Sequence, residues 1–121
     1  MRDKTFLIMA GGTGGHVFPA LAVAQSLIES HEKVVWLGSK GGMEEGIVER
    51  ANIQFYGIDV KGIRGKGRLN QLFAPIKIIS AVFQAFNVLR KVKPDAVLGM
   101  GGFASGPGGL VARILGIPLV I

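Results

Sequence analysis

The sequence contains no cysteine, which removes a disulfide framework and any thiolate metal site. It has only two histidines, His16 and His31, and no HExxH string, so a bound metal has no support. No apolar run approaches the ~20 residues needed to cross a bilayer. The N-terminal run, from Thr5 to Ala10, stops at a glycine cluster and is too short for a signal-peptide core. Acids are few as well: 8 against 14 basic residues, for a net charge of +6. Charged residues make up only 18% and hydrophobic residues 49%, a balance that argues against intrinsic disorder. A chain of 121 residues fits one small domain with one buried core.

What is abundant is glycine, 19 of 121 residues with no G-X-Y period, against a usual share of ~7%. Glycine and charge are both clustered. Four glycines lie in Gly11-Gly12-Thr13-Gly14-Gly15 and six between Gly99 and Gly109. Lys61, Arg64, Lys66, Arg68, Lys77, Arg90, Lys91 and Lys93 fall in a stretch without acids, so Val60 to Pro94 carries +8 and the remainder −2.

Apolar runs alternate with helical patterns along the chain. Strands are expected at Thr5–Ala10, Lys33–Leu37, Ile53–Val60, Ala96–Leu98 and Ile117–Ile121. Helices are expected at Val17–Ser30, Met43–Ala51, Asn70–Lys93 and Pro107–Leu115, with Pro19 in the first turn of its helix and Pro75 near the start of the long one. Lys61 to Asn70 reads as a basic, glycine-rich loop. This alternation predicts right-handed βαβ units: an α/β fold with a doubly wound parallel sheet, strand order 3-2-1-4-5. The switch point then lies between strands 1 and 4, and ligands bind beyond the strand ends there. Both glycine clusters follow those two strands, so two loops distant in sequence should line one crevice.

Glycines between a strand and a helix let the backbone approach a phosphate, and the helix start offers free N–H groups and a positive dipole end. A tight βα turn needs one or two glycines; four in five residues point to an anionic ligand. The dinucleotide fingerprint fails in the first loop, where the third glycine position is Val17. Gly99-Met100-Gly101-Gly102-Phe103-Ala104 fits G-x-G-x-x-A formally, yet strand 2 ends in Gly38-Ser39-Lys40 without a carboxylate for a ribose, which disfavours NAD. There is no Gly-x4-Gly-Lys-Ser/Thr string, and Ser105 is not in a nucleophile elbow. His16 is the titratable group of the first loop. A helix N-terminus disfavours imidazolium, so a neutral His16 could serve as general base for a hydroxyl nucleophile, or simply pack there. His31 reads as a solvated surface residue.

The long helix carries two apolar stripes. Pro75, Ile78, Ala81, Val82, Ala85, Leu89 and Val92 form one, a good core face; Leu72, Ile76, Ile79, Phe83 and Phe86 form another, roughly opposite. The second stripe suits a neighbouring domain or, with the basic residues flanking it, an anionic membrane surface. Nucleic acid is the weaker reading of the charge, because the interleaved residues are aliphatic rather than stacking aromatics.

The stretches Gly11–Ala20, Arg64-Gly65-Lys66-Gly67 and Leu98–Gly109 closely resemble the MurG family, the bacterial peptidoglycan N-acetylglucosaminyltransferases. The resemblance covers the whole chain in order. It implies a GT-B glycosyltransferase of two Rossmann-like domains, with residues 1–121 as a truncated N-terminal, acceptor-side domain. A His-Glu-Gln-Asn segment and a uridine-gripping C-terminal domain would follow, and the chain alone should not turn over. The implied reaction moves GlcNAc from UDP-GlcNAc to the 4-hydroxyl of MurNAc on lipid I, with inversion, giving lipid II at the cytoplasmic face of the inner membrane. No cofactor is expected. By the same resemblance, His16 is the proposed base, and Thr13, Gly14, Gly15, Gly101, Gly102, Ser105 and Arg64 contact substrate. Leu72, Ile76, Ile79, Val82 and Phe83 would meet the membrane, although the helical projection puts Val82 near the core edge.

Overall fold

The computed structural model describes residues 4–10, 14–58, 68–100 and 105–120, and the side chains among them outside 14–16, 68–78 and 105–107. The strands are β1 (Thr5–Met9), β2 (Lys33–Ser39), β3 (Gln54–Ile58), β4 (Ala96–Gly99) and β5 (Leu119–Val120). The helices are α1 (Gly14–Glu29), α2 (Met43–Arg50), α3 (Arg68–Val92) and α4 (Ser105–Leu115). All strand pairs are parallel, in the order β3-β2-β1-β4-β5, as the sequence pattern predicts.

Side chains alternate across a strand, so a sheet covered on both faces needs a continuous apolar run. Leu7 and Met9 of β1 face one way and join Val35, Leu37 and Val97 under Ala81, Ala85 and Leu89 of α3 and Val111 and Ala112 of α4. Ile8 and Ala10 face the other way and join Val34 and Trp36 under Val17, Ala20 and Ala24 of α1 and Val48 of α2. The helices meet the sheet largely through alanines, which bring helix and strand backbones close. Hydrophobic residues thus build two half-cores, one per face.

Helix ends and strand starts are fastened locally. α1, α2 and α4 close with a bond spanning five residues: Glu32 N–H to the Leu27 carbonyl at 3.0 Å, Ile53 to Val48 at 3.2 Å and Ile117 to Ala112 at 2.9 Å. The residue before each donor is left-handed, at φ 64° for His31, 60° for Asn52 and 72° for Gly116, the Schellman geometry. The first residues of β1 are tied on both sides, with Lys4 N–H donating to Glu32 Oε2 at 2.9 Å and Thr5 N–H to Asp95 Oδ2 at 2.7 Å.

Several boundaries differ from expectation. α1 starts at Gly14 rather than Val17, so Pro19 falls in its second turn and removes the N–H that would bond the Gly15 carbonyl. α3 starts at Arg68 and runs through Pro75. The turns after Pro75 supply enough sheet contact to hold a helix that loses one internal bond. α4 begins at Ser105, which puts Pro107 in its first turn. β2 extends to Ser39 because it pairs there with Ile58, and β3 begins one residue later than expected, at Gln54.

Candidate functional site

The crevice is set by β1 and β4, which lie side by side with Met9 opposite Gly99. Pairing continues one residue further, where Met100 N–H donates to the Met9 carbonyl at 2.8 Å. The two glycine-rich segments therefore leave the sheet from adjacent points. α1 and α4 begin within a few residues of those points, at the carboxyl end of the sheet. Two helix N-termini thus flank one switch point, the arrangement that favours an anion. Gly14 and Gly15 open α1 with His16 in its first turn, and Ser105 opens α4. Thr13, Arg64, Gly101 and Gly102 lie outside the described residues, as do the side chains of His16 and Ser105.

Trp36 and Gly108 pack against the strand that ends at this crevice, and Glu44 fastens the neighbouring β2–α2 turn. Trp36, fully buried in β2, donates from Nε1 to the Ala10 carbonyl at 2.9 Å. It holds the carbonyl of the residue that follows β1, at the head of the first glycine segment. A lone Trp signals a buried N–H needing an acceptor, but its partner is 26 residues away in sequence. Gly108 lies directly over β1 in α4. A Cβ there would run into the Met9 sulfur and come within 3.1 Å of Leu37 Cδ2, so this glycine of the second cluster serves close helix–sheet packing. Glu44, at the start of α2, is wholly buried and accepts the Ser39 N–H on Oε1 at 2.7 Å. Its carboxylate occupies the space over Gly38 and Gly42, where a Cβ would come within 2.9 Å and 2.7 Å of its atoms. Together with Lys40 N–H donating to the Ile58 carbonyl at 2.9 Å, it fastens the heads of β2 and β3. The basic segment bearing Arg64 departs from the end of β3.

On α3 the two stripes separate largely as expected. Ala81, Ala85 and Leu89 are buried, whereas Ile79 is 55% exposed and Phe83 64% exposed. Val82 is half-buried against the core, and so is Phe86, which leaves the outer stripe. The Arg90 guanidinium lies 5.5 Å from the Phe86 ring centre and covers part of it. Leu72 and Ile76 lie on α3, but their side chains are outside the described set. Among the described residues no helix is long and apolar enough to cross a membrane, and no group of three or more His, Asp or Glu could hold a metal ion.

Comparison with known proteins gives a consistent picture. The chain is 60% identical over 121 residues to the UDP-N-acetylglucosamine–N-acetylmuramyl-(pentapeptide) pyrophosphoryl-undecaprenol N-acetylglucosamine transferase of Hahella chejuensis, covering 100% of this chain and 34% of that protein. It is 56% identical over 119 residues to the enzyme of the same name from Shewanella violacea, covering 98% of this chain and 33% of the relative. The crystal structure of MurG from Acinetobacter baumannii superposes with a TM-score of 0.84 at 50% identity, over 96% of this chain and 34% of that one. The calicheamicin glycosyltransferase CalG4, at 18% identity and a TM-score of 0.70, shares the fold. The chain thus spans about a third of the length of the relatives it matches. The sequence profile of the glycosyltransferase family 28 N-terminal domain matches residues 6–121, and the chain belongs to that family.

Proposed function

We propose that this chain is the acceptor-side domain of a peptidoglycan N-acetylglucosaminyltransferase. It serves transfer of GlcNAc from UDP-GlcNAc to the 4-hydroxyl of MurNAc on lipid I, with inversion, to give lipid II. The observation that carries this reading is the identity of 60% across the whole chain to a transferase of that name, supported by the paired ends of β1 and β4, which each glycine segment follows in sequence.

Inverting transfer needs a base on the acceptor hydroxyl and positive potential at the leaving diphosphate. In this reading the N-termini of α1 and α4 hold the acceptor diphosphate, with Gly14, Gly15, Gly101, Gly102, Ser105 and Arg64 around it. Thr13, Gly14 and Gly15 also border the donor. His16, in the first turn of α1, takes the proton from the 4-hydroxyl as general base. The uridine grip and most leaving-group stabilisation come from a C-terminal domain. Ile79 and Phe83, exposed on α3, rest with Leu72, Ile76 and the edge of Val82 on the anionic cytoplasmic face of the inner membrane, as a peripheral contact.

A chimera tests the reading. This chain replaces the matching third of Acinetobacter baumannii MurG, and lipid II formation is measured. The chimera should turn over, and His16→Ala in it should lower kcat by ~10²–10⁴-fold, the range of a lost general base. A folded chimera without transferase activity would contradict the assignment; an active one indifferent to His16→Ala would remove the base role alone.

A further inference from the structure

At the end of the sheet opposite the crevice, α3 and α4 terminate beside the entries to β4 and β5. Between them lies a groove of about 270 Å³ lined by Leu89, Arg90, Lys93, Pro94, Leu115 and Ile117. Its floor is aliphatic, and both charged residues of its wall are cations. The neighbouring acid in sequence, Asp95, is turned to β1, where Oδ2 accepts the Thr5 N–H at 2.7 Å. Lys93 closes α3, donating its N–H to the Leu89 carbonyl at 2.8 Å from a left-handed conformation with φ 51°. Glycine or asparagine usually takes that place, because other residues pay ~1–2 kcal/mol for it. Cations near a helix C-terminus answer the dipole, but they do not account for an open apolar groove between them.

We propose that this groove docks an acidic, leucine-bearing segment of a partner protein. An aliphatic side chain enters between Leu89, Leu115 and Ile117, and flanking carboxylates pair with Arg90 and Lys93. The volume is nearly twice the ~150 Å³ that holds a benzene-sized group, which gives room for one or two aliphatic side chains. The shape separates this partner from a lipid surface. A bilayer rests on an outward face such as Ile79 and Phe83, whereas this groove lies between two helix ends. Charge complementarity at the rim then selects acidic sequences and their register.

The test is a nitrogen-15 NMR titration of this chain with an acetylated peptide bearing leucines at i, i+3 and i+4 among glutamates. Saturable amide shifts should centre on Leu89, Arg90, Lys93, Leu115 and Ile117. The exposed double variant Arg90→Glu/Lys93→Glu should weaken binding at least ~10-fold, the effect of ~1.4 kcal/mol, and a peptide with lysines in place of glutamates should recover it. Amide shifts of the variant that match the parent away from the groove show it folded and separate lost docking from lost folding. No shifts at millimolar peptide would overturn the proposal, and so would undiminished binding by the variant. Phosphatidylglycerol vesicles shifting these amides while the peptide does not would overturn it in favour of lipid docking.

Discussion

Trp36 directs its single donor to the carbonyl of Ala10, and both groups are removed from water. Trp36→Phe keeps most of the apolar volume and leaves that carbonyl without its partner. A buried unsatisfied acceptor costs ~1–3 kcal/mol, so urea unfolding should show a loss of that size; a variant as stable as the parent would mean that the bond contributes nothing. Gly108 and Gly46 make a second comparison. Gly108→Ala drives a methyl group into Met9 and should cost ~1–3 kcal/mol through overpacking. Gly46 sits on the exposed side of α2 with only the tip of Arg50 near its missing Cβ, at 3.9 Å, so Gly46→Ala should stabilise by ~0.5–1 kcal/mol. Thermal unfolding of both variants reads the opposite signs. Composition marks these glycines alike. Only the packing of α4 on β1 tells a glycine needed for helix–sheet contact from one that merely weakens a helix. Glu44 was equally silent in the sequence, because one carboxylate in a Glu-Glu pair gives no sign that it folds back under the Ser39 N–H.

At the scale of elements, the apolar periodicity carried most of the information. It separated Ala81, Ala85 and Leu89 from Ile79 and Phe83 on α3, and burial follows that division. Phe86, assigned to the outer stripe, lies at its border, about 40° from Val82 at 100° per residue, and its ring packs back toward the core beneath Arg90. Proline was the other source of error. Pro19 reads as a first-turn residue of a helix from Val17 and Pro75 as near the start of a helix from Asn70, yet α1 begins at Gly14 and α3 at Arg68, because one missing N–H costs less than the packing gained by continuing. The exposed stripe leads to a measurement on α3 alone. If Ile79 and Phe83 enter the headgroup region, Ile79→Glu/Phe83→Glu should reduce flotation with phosphatidylglycerol vesicles at least ~10-fold, since burying each side chain is worth ~1.5–3 kcal/mol. Binding should also weaken with salt, because basic neighbours attract the anionic surface. Flotation unaffected by both would place the membrane contact elsewhere.

For the molecule as a whole, strand order and parallel pairing are legible because a continuous apolar strand alternating with an amphipathic helix permits few arrangements. The β3-β2-β1-β4-β5 order follows from them, and with it the side-by-side ends of β1 and β4 at Met9 and Gly99, 90 residues apart. The long-range polar ties of the sheet were not legible, since the bond from Trp36 to Ala10 and the clamp of Glu44 on the β2–α2 turn exist only once the chain is folded. The central claim is that the crevice beyond β1 and β4 binds the acceptor's diphosphate. An NMR titration of this chain with a short-isoprenyl analogue of lipid I tests it most directly, with UDP-GlcNAc titrated in parallel. The amides of Gly14, Gly15, Gly99 and Met100 should shift with the lipid I analogue, and high salt should weaken the effect, as charge-dominated binding requires. Shifts confined to other regions, or a response to UDP-GlcNAc but none to the acceptor analogue, would contradict the account.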